Sequence, residues 1–179
     1  MSKPKNILLG LTGAISVSNI FPYISTIQSY FGCRMHIMMT DAAQKFIPAS
    51  TLIHSIDGHV FVDLSEKGPF KMPHVELTHW ADAIVILPAS ANTLAKTAQG
   101  FSQDIVSATI LASNCPVIFF PSMYIGMWQK KSVQRNIELL REDEYLIYNG
   151  QLGQEQSNVG GALPTPVEAC RFINKAVFV

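Results

Sequence analysis

The side chains able to do chemistry cluster in short stretches beside apolar runs. "HVELTHW" opens with His74, which follows the polar loop "SEKGPFKMP" and starts a helical pattern. An imidazole there can take or give a proton near neutral pH. His79 offers the same group one turn and a residue onward, while His36, His54 and His59 read as structural or surface residues. "PASANT", 88–93, sets Ser90, Asn92 and Thr93 among small side chains just after an apolar run. Small side chains let a flat ligand approach the backbone, and the polar ones can bond a heterocycle edge or cap the following helix. Capping accounts well for one of the three polar residues, not for all.

"LTGAIS", 11–16, places Thr12, Gly13 and Ser16 at a strand-to-helix turn. Backbone N–H groups and hydroxyls at a helix N-terminus suit a phosphate. The same residues also suit a tight turn with a helix cap, and only Gly10 and Gly13 keep the spacing of a GxGxxG fingerprint. "MMTDAA" brings Thr40 to a third such turn, with Phe46 shortly after it, either as core or as a stacking surface. "PSMYIGMW", 121–128, crowds Met123, Tyr124, Met127 and Trp128 where a polar loop would be ordinary. Such soft and flat side chains wrap an aromatic ring, line a subunit interface, or fill a core.

The elements that must hold these stretches alternate. Apolar strands are expected at 5–11, 34–39, 83–87 and 116–120, a short one at 60–63, and a last one at 144–149. Between them the spacing predicts helices. One carries Ile20, Ile24, Ile27 and Phe31 and is closed by Gly32. Short helical pieces follow Thr40 or Asp41 as cap, and Pro48; others follow "PASANT" and run over 104–112 and 132–141. Pro166 begins a final helix with Val167, Cys170, Ile173 and Val177 on one face. Strands alternating with helices imply a parallel sheet covered on both sides. The expected fold is therefore a single Rossmann-like or flavodoxin-like α/β domain in three layers over 1–179. Ligands of such sheets bind beyond the C-terminal ends of the strands, where "LTGAIS", "MMTDAA", "PASANT" and "PSMYIGMW" all fall. The Gly- and Gln-rich segment 150–163 reads as a mobile loop.

Composition narrows the class. The chain of 179 residues is 48% hydrophobic and only 15% charged, which suggests apolar surface reserved for other subunits. Formal net charge is zero with no basic run, which speaks against nucleic acid and anionic membranes. No signal-peptide pattern or membrane-length apolar run is evident, and the three cysteines show no CxxC spacing. A cytoplasmic protein with reduced thiols and no metal site is expected.

Taken together and in order, His74, "PASANT" and "PSMYIGMW" resemble the homo-oligomeric flavin-containing cysteine decarboxylases. That family includes the lantibiotic-type peptidyl-cysteine decarboxylases and the phosphopantothenoylcysteine decarboxylases. Its motifs are a His before a helix, a PASANT loop and PxMNxxMW. The resemblance spans about 5–149. It implies FMN held between subunits of a trimer or dodecamer, with Gly13, Ser16, Thr40, Phe46, Ser90, Ala91, Asn92, Ser122 and Met123 at the cofactor. It implies His74 as catalytic base, and a substrate side formed by Tyr124, Met127 and Trp128. The implied reaction is oxidative decarboxylation of a C-terminal cysteine of a precursor peptide to an enethiol. The phosphopantothenoyl branch carries a loop Cys that protonates its product; 150–164 holds none here, which favours the peptide branch. In that branch the segment 150–163 resembles a substrate loop. The family Asn is replaced by Tyr124. A small-molecule decarboxylase or a non-catalytic flavin-binding subunit are the alternatives.

Overall fold

Ile7, Leu8, Leu9 and Leu11 form an apolar run with no polar alternation, so a strand built from them must be covered on both faces. They form β1 (Asn6–Leu11), central in a six-stranded parallel sheet. The structure is a computed structural model and describes residues 5–65, 70–149, 159–160 and 163–178. On one side β1 pairs with β2 (Arg34–Met39), in register from Asn6↔Arg34 to Leu11↔Met39, and β3 (Val60–Phe61) lies outside β2. On the other side stand β4 (Ala83–Ala89), β5 (Val117–Pro121) and β7 (Leu146–Ile147). The order β3-β2-β1-β4-β5-β7 is that of a doubly wound Rossmann sheet.

Alternation along the strands divides the core. Ile7, Leu9 and Leu11 face one layer with Ile37, Val85 and Phe120. That layer is covered by α1 (Phe21–Phe31), through Ile24 and Ile27, and by α9 (Pro166–Phe178), through Cys170 and Ile173. Short helices α2 (Asp41–Gln44) and α3 (Ala49–Leu52) extend it with Ala43 and Leu52. Leu8, Ile84, Ile86 and Phe119 face the opposite layer of α4 (Pro73–Trp80), α5 (Ala91–Ala98), α6 (Ile105–Leu111) and α8 (Lys131–Glu142). Each such side chain taken fully out of water contributes about 1.5–3 kcal/mol. The three-layer parallel sheet expected from the alternation is therefore present.

Local signals set most helix ends. α1 stops at Gly32, whose φ of 61° is a left-handed cap and whose N–H donates to Gln28 O at 2.8 Å. α6 starts in a capping box of Asp104 and Ser107. α1 begins later than "LTGAIS" suggests, because a 3-10 helix, Ile15–Asn19, intervenes. Pro22, which has no N–H to donate, fits only the first turn of a new helix.

The outer strands are shorter than expected. β3 ends because Asp63 turns the chain by accepting from Ser65 N at 2.7 Å. β7 starts only after Glu144, whose φ is 64°. A second sheet has no counterpart in the sequence pattern: β6 (Met123–Tyr124) pairs antiparallel with β8 (Val159–Gly160). A short helix, α7 (Ile125–Trp128), follows β6. Val159, Gly160 and Leu163 belong to the segment expected to be mobile, and Leu163 packs against the core; the remainder of it lies outside the described residues.

Candidate functional site

The strand order reverses between β1 and β4, so the segments leaving these strands part and open a crevice. A cavity of about 400 Å³ lies there, within the usual span of about 300–1,000 Å³ for small-molecule sites. The exit of β1 lines it with Gly13, Ala14 and Ile15. The exit of β4 adds Ser90 and Ala91, and the exit of β5 adds Ser122, Met123, Tyr124 and Met127. Ile15, 69% exposed, and Tyr124, 60% exposed, leave broad apolar surface beside the opening.

Hydrogen bonds join the three exits. Thr12 is fully buried, and its Oγ1 donates to Pro88 O at 2.7 Å. The same oxygen accepts from Ser90 N at 2.8 Å. Ser122 N donates to Ala89 O at 2.9 Å. Ser122 Oγ and Ser16 Oγ share a hydrogen bond of 2.8 Å, which returns to the first exit. Ser90 also caps α5, accepting from Thr93 N at 3.3 Å, and its hydroxyl meets that of Thr93 at 3.1 Å. Capping thus employs two of the three polar residues in "PASANT". Asn92 is exposed on the first turn of α5, and its side chain has no hydrogen-bond partner among the described residues.

Thr40 caps α2, accepting from Ala43 N at 3.3 Å, while its own N–H donates to Leu11 O at 3.1 Å. It stands beside the end of β1 but does not line the cavity. A Cβ on Gly13 would come within 2.5 Å of the Ala42 Cβ, so glycine is what lets α2 lean on this exit. Phe46 follows α2 with its ring exposed. Trp128 turns inward and is buried with Ile137 and Leu140.

His74 stands in the first turn of α4. α4 returns the chain to the start of β4, so its first turn points toward the strand ends that bear the cavity, on the order of 10 Å along the helix axis. Within one chain His74 does not line the cavity. Its Nδ1 is buried with no hydrogen-bond partner among the described residues. A buried polar nitrogen left unpaired is costly, so its persistence points to a role.

The cysteines stand apart from this site. Burial pushes the Cys33 and Cys170 thiols up to about 11, which keeps them neutral. Cys170 faces the core between α9 and the sheet. Sequence reasoning brought Gly13, Ser16, Ser90, Ala91, Ser122, Met123, Tyr124 and Met127 to one place. It passed over Ala14 and Ile15, which have no distinguishing type, and it offered the Thr12 hydroxyl to a phosphate, whereas that hydroxyl bonds Pro88 O and Ser90 N.

Comparison with known proteins gives this geometry a context. The family profile described as "Flavoprotein" matches residues 1–177. Mersacidin decarboxylase of Bacillus sp. (strain HIL-Y85/54728) is 40% identical over 145 residues, covering 81% of this chain and 73% of the relative. The solved structure of that organism's MrsD superposes with a TM-score of 0.84 at 37% identity, covering 97% of this chain and 96% of MrsD. SpaF, described as one of the FMN-dependent cysteine decarboxylases, gives a TM-score of 0.82 at 33% identity, covering 96% of this chain and 94% of SpaF. The bifunctional coenzyme A biosynthesis protein CoaBC of Bacillus subtilis is 32% identical over 81% of this chain, which spans only 36% of that protein.

Proposed function

We infer from the Flavoprotein family, to which this chain belongs, that the cavity between the β1, β4 and β5 exits is an FMN site. From the same premise, the protein catalyses oxidative decarboxylation of a C-terminal cysteine in a peptide. The observation that carries this is the cavity at the sheet's switch point, framed by three exits, two of which carry the stretches PASANT and PSMYIGMW that resemble cysteine decarboxylase motifs. The residues present fit such a cofactor. Met123, Met127 and Ile15 offer apolar surface for a flat ring system. Ser16, Ser90 and Ser122 offer hydroxyls that both donate and accept, and Gly13 and Ala91 let the backbone come close. Thr40, Phe46 and Asn92 stand around this lining and complete the proposed contacts.

When bound, FMN supplies the two-electron oxidation of the cysteine side chain, after which the carboxylate departs as carbon dioxide and an enethiol remains. The chain's own residues do the rest. Tyr124 and Met127 flank the mouth and hold the peptide end, with Trp128 bracing them from the core. Tyr124 replaces an amide by one hydroxyl on a larger ring, so its hydroxyl meets the substrate from further out. The His74 imidazole moves the proton. Since His74 does not line the cavity of its own chain, we place the site at a contact between copies, a trimer or a larger closed assembly such as a dodecamer. The reaction belongs to the cytoplasm, where precursor peptides are made.

The test is to mix purified protein with synthetic peptides ending in Cys and follow mass and the visible spectrum. Loss of carbon dioxide together with two hydrogens, with bleaching of the flavin band, is expected. Loss of carbon dioxide alone from phosphopantothenoylcysteine would instead assign the small-molecule activity suggested by the match to CoaBC.

A further inference from the structure

We infer that Thr12 is a positioning residue for the flavin pocket, locking the exits of β1 and β4 into the arrangement that receives the cofactor. The inference rests on the FMN site proposed above. Thr12 does not line the cavity, yet its buried hydroxyl makes two bonds to the neighbouring exit, to Pro88 O at 2.7 Å and from Ser90 N at 2.8 Å. These bonds cross from one half of the sheet to the other at the place where the strand order reverses. Among the described residues no other side chain bonds these two exits to each other: β1 and β4 last pair at Gly10↔Ile86, before either chain reaches the cavity.

The hydroxyl also closes a circuit. From Thr12 it passes to the β4 exit at Pro88 and Ser90. From Ala89 it passes to Ser122 of the β5 exit, and from Ser122 to Ser16. Ala14 N then donates to Thr12 O at 2.8 Å and completes it. Every exit that lines the cavity is a member. Opening the circuit at Thr12 leaves a carbonyl and an N–H unpaired in a buried place, and both can recover partners only if the exits move. An arrangement formed before the ligand arrives spares it the cost of ordering the loops.

The test compares wild type with Thr12→Val, Thr12→Ala and Thr12→Ser. FMN affinity is read from quenching of FMN fluorescence, alongside the flavin absorption band and the melting temperature without FMN. Val and Ala are expected to weaken FMN binding about tenfold or more, and Ser, which keeps the hydroxyl, to stay within about threefold. If Val does not fold, Ala read against Ser isolates the hydroxyl. Leu140→Ala, on the buried face of α8, serves as a control for general loss of stability. Amide exchange at the three exits, measured without FMN, should rise in Ala and not in Ser. Wild-type affinity in Ala, equal weakening in Ser and Ala, or the same weakening in the control would each overturn the inference. Wild-type protein that binds no FMN would sink the cofactor proposal, and amide exchange would then decide the role of Thr12.

Discussion

His74 pairs an ionisable ring with a buried nitrogen that has no partner among the described residues, which is an unusual condition for a residue kept only for packing. His74→Asn retains similar bulk and a hydrogen-bonding group but cannot exchange a proton near neutral pH. We expect the variant to keep its flavin band and to lose decarboxylation by about a hundredfold or more, within the usual range for a removed general base. Rapid single-turnover mixing with a Cys-terminated peptide reads this; wild-type rates would remove His74 from the chemistry. Legibility at this scale depended on whether a side chain advertises itself. Ser90 sits where a cap belongs, before a helical pattern, and Met123 with Met127 sits where a polar loop was due, so both could be found from type and place. Thr12 could be found as a hydroxyl at a strand-to-helix turn but not as a tie between two exits, since its partners lie 76 and 78 positions away.

Among elements, α6 shows how a helix start holds the layer behind the site. Asp104 caps α6 and also bonds Lys96 of α5 at 2.7 Å, joining the helix that Ser90 begins to its neighbour. Burial pushes the Asp104 carboxyl up, but hydrogen bonds from Lys96 and the Ser107 backbone outweigh it and hold the group below the usual carboxylate range. A depressed folded value means that this stability is present above the ordinary carboxylate pKa and drains away as pH falls through the folded value. Asp104→Ala should cost about 1–2 kcal/mol near neutral pH, as lost caps do. Its deficit against wild type should shrink on acidification, measured by urea unfolding; a deficit constant with pH would show that the charge contributes nothing. The long strands were legible because β1, β4 and β5 are apolar throughout. β6 and β8 were not, because a two-residue pairing across distant sequence has no period to read.

For the molecule as a whole, the question is where its apolar surface goes. Ile15, Phe21, Phe46, Tyr124 and Met127 are large, exposed hydrophobics, several of them beside the cavity. Exposed apolar area of this kind marks contact surfaces. Light scattering on the purified protein should give a mass several times that of one chain. Phe21→Glu, at the first turn of α1, should lower that mass and FMN occupancy together. A monomeric wild type with full FMN occupancy would show that one chain completes its own site. Among the described residues, no helix is long and apolar enough to cross a membrane. The expected parallel α/β sheet in three layers was recovered because continuously apolar strands alternate with helices along the chain, whereas contacts between copies leave no trace in one chain's periodicity. The sheet's outermost strands, β3 and β7, are two residues each. So brief a border offers an incoming strand only a rung or two of backbone pairing, which protects a very apolar chain from stacking edge to edge into fibres. In the assembly proposed above, contact between copies falls to side-chain surfaces instead.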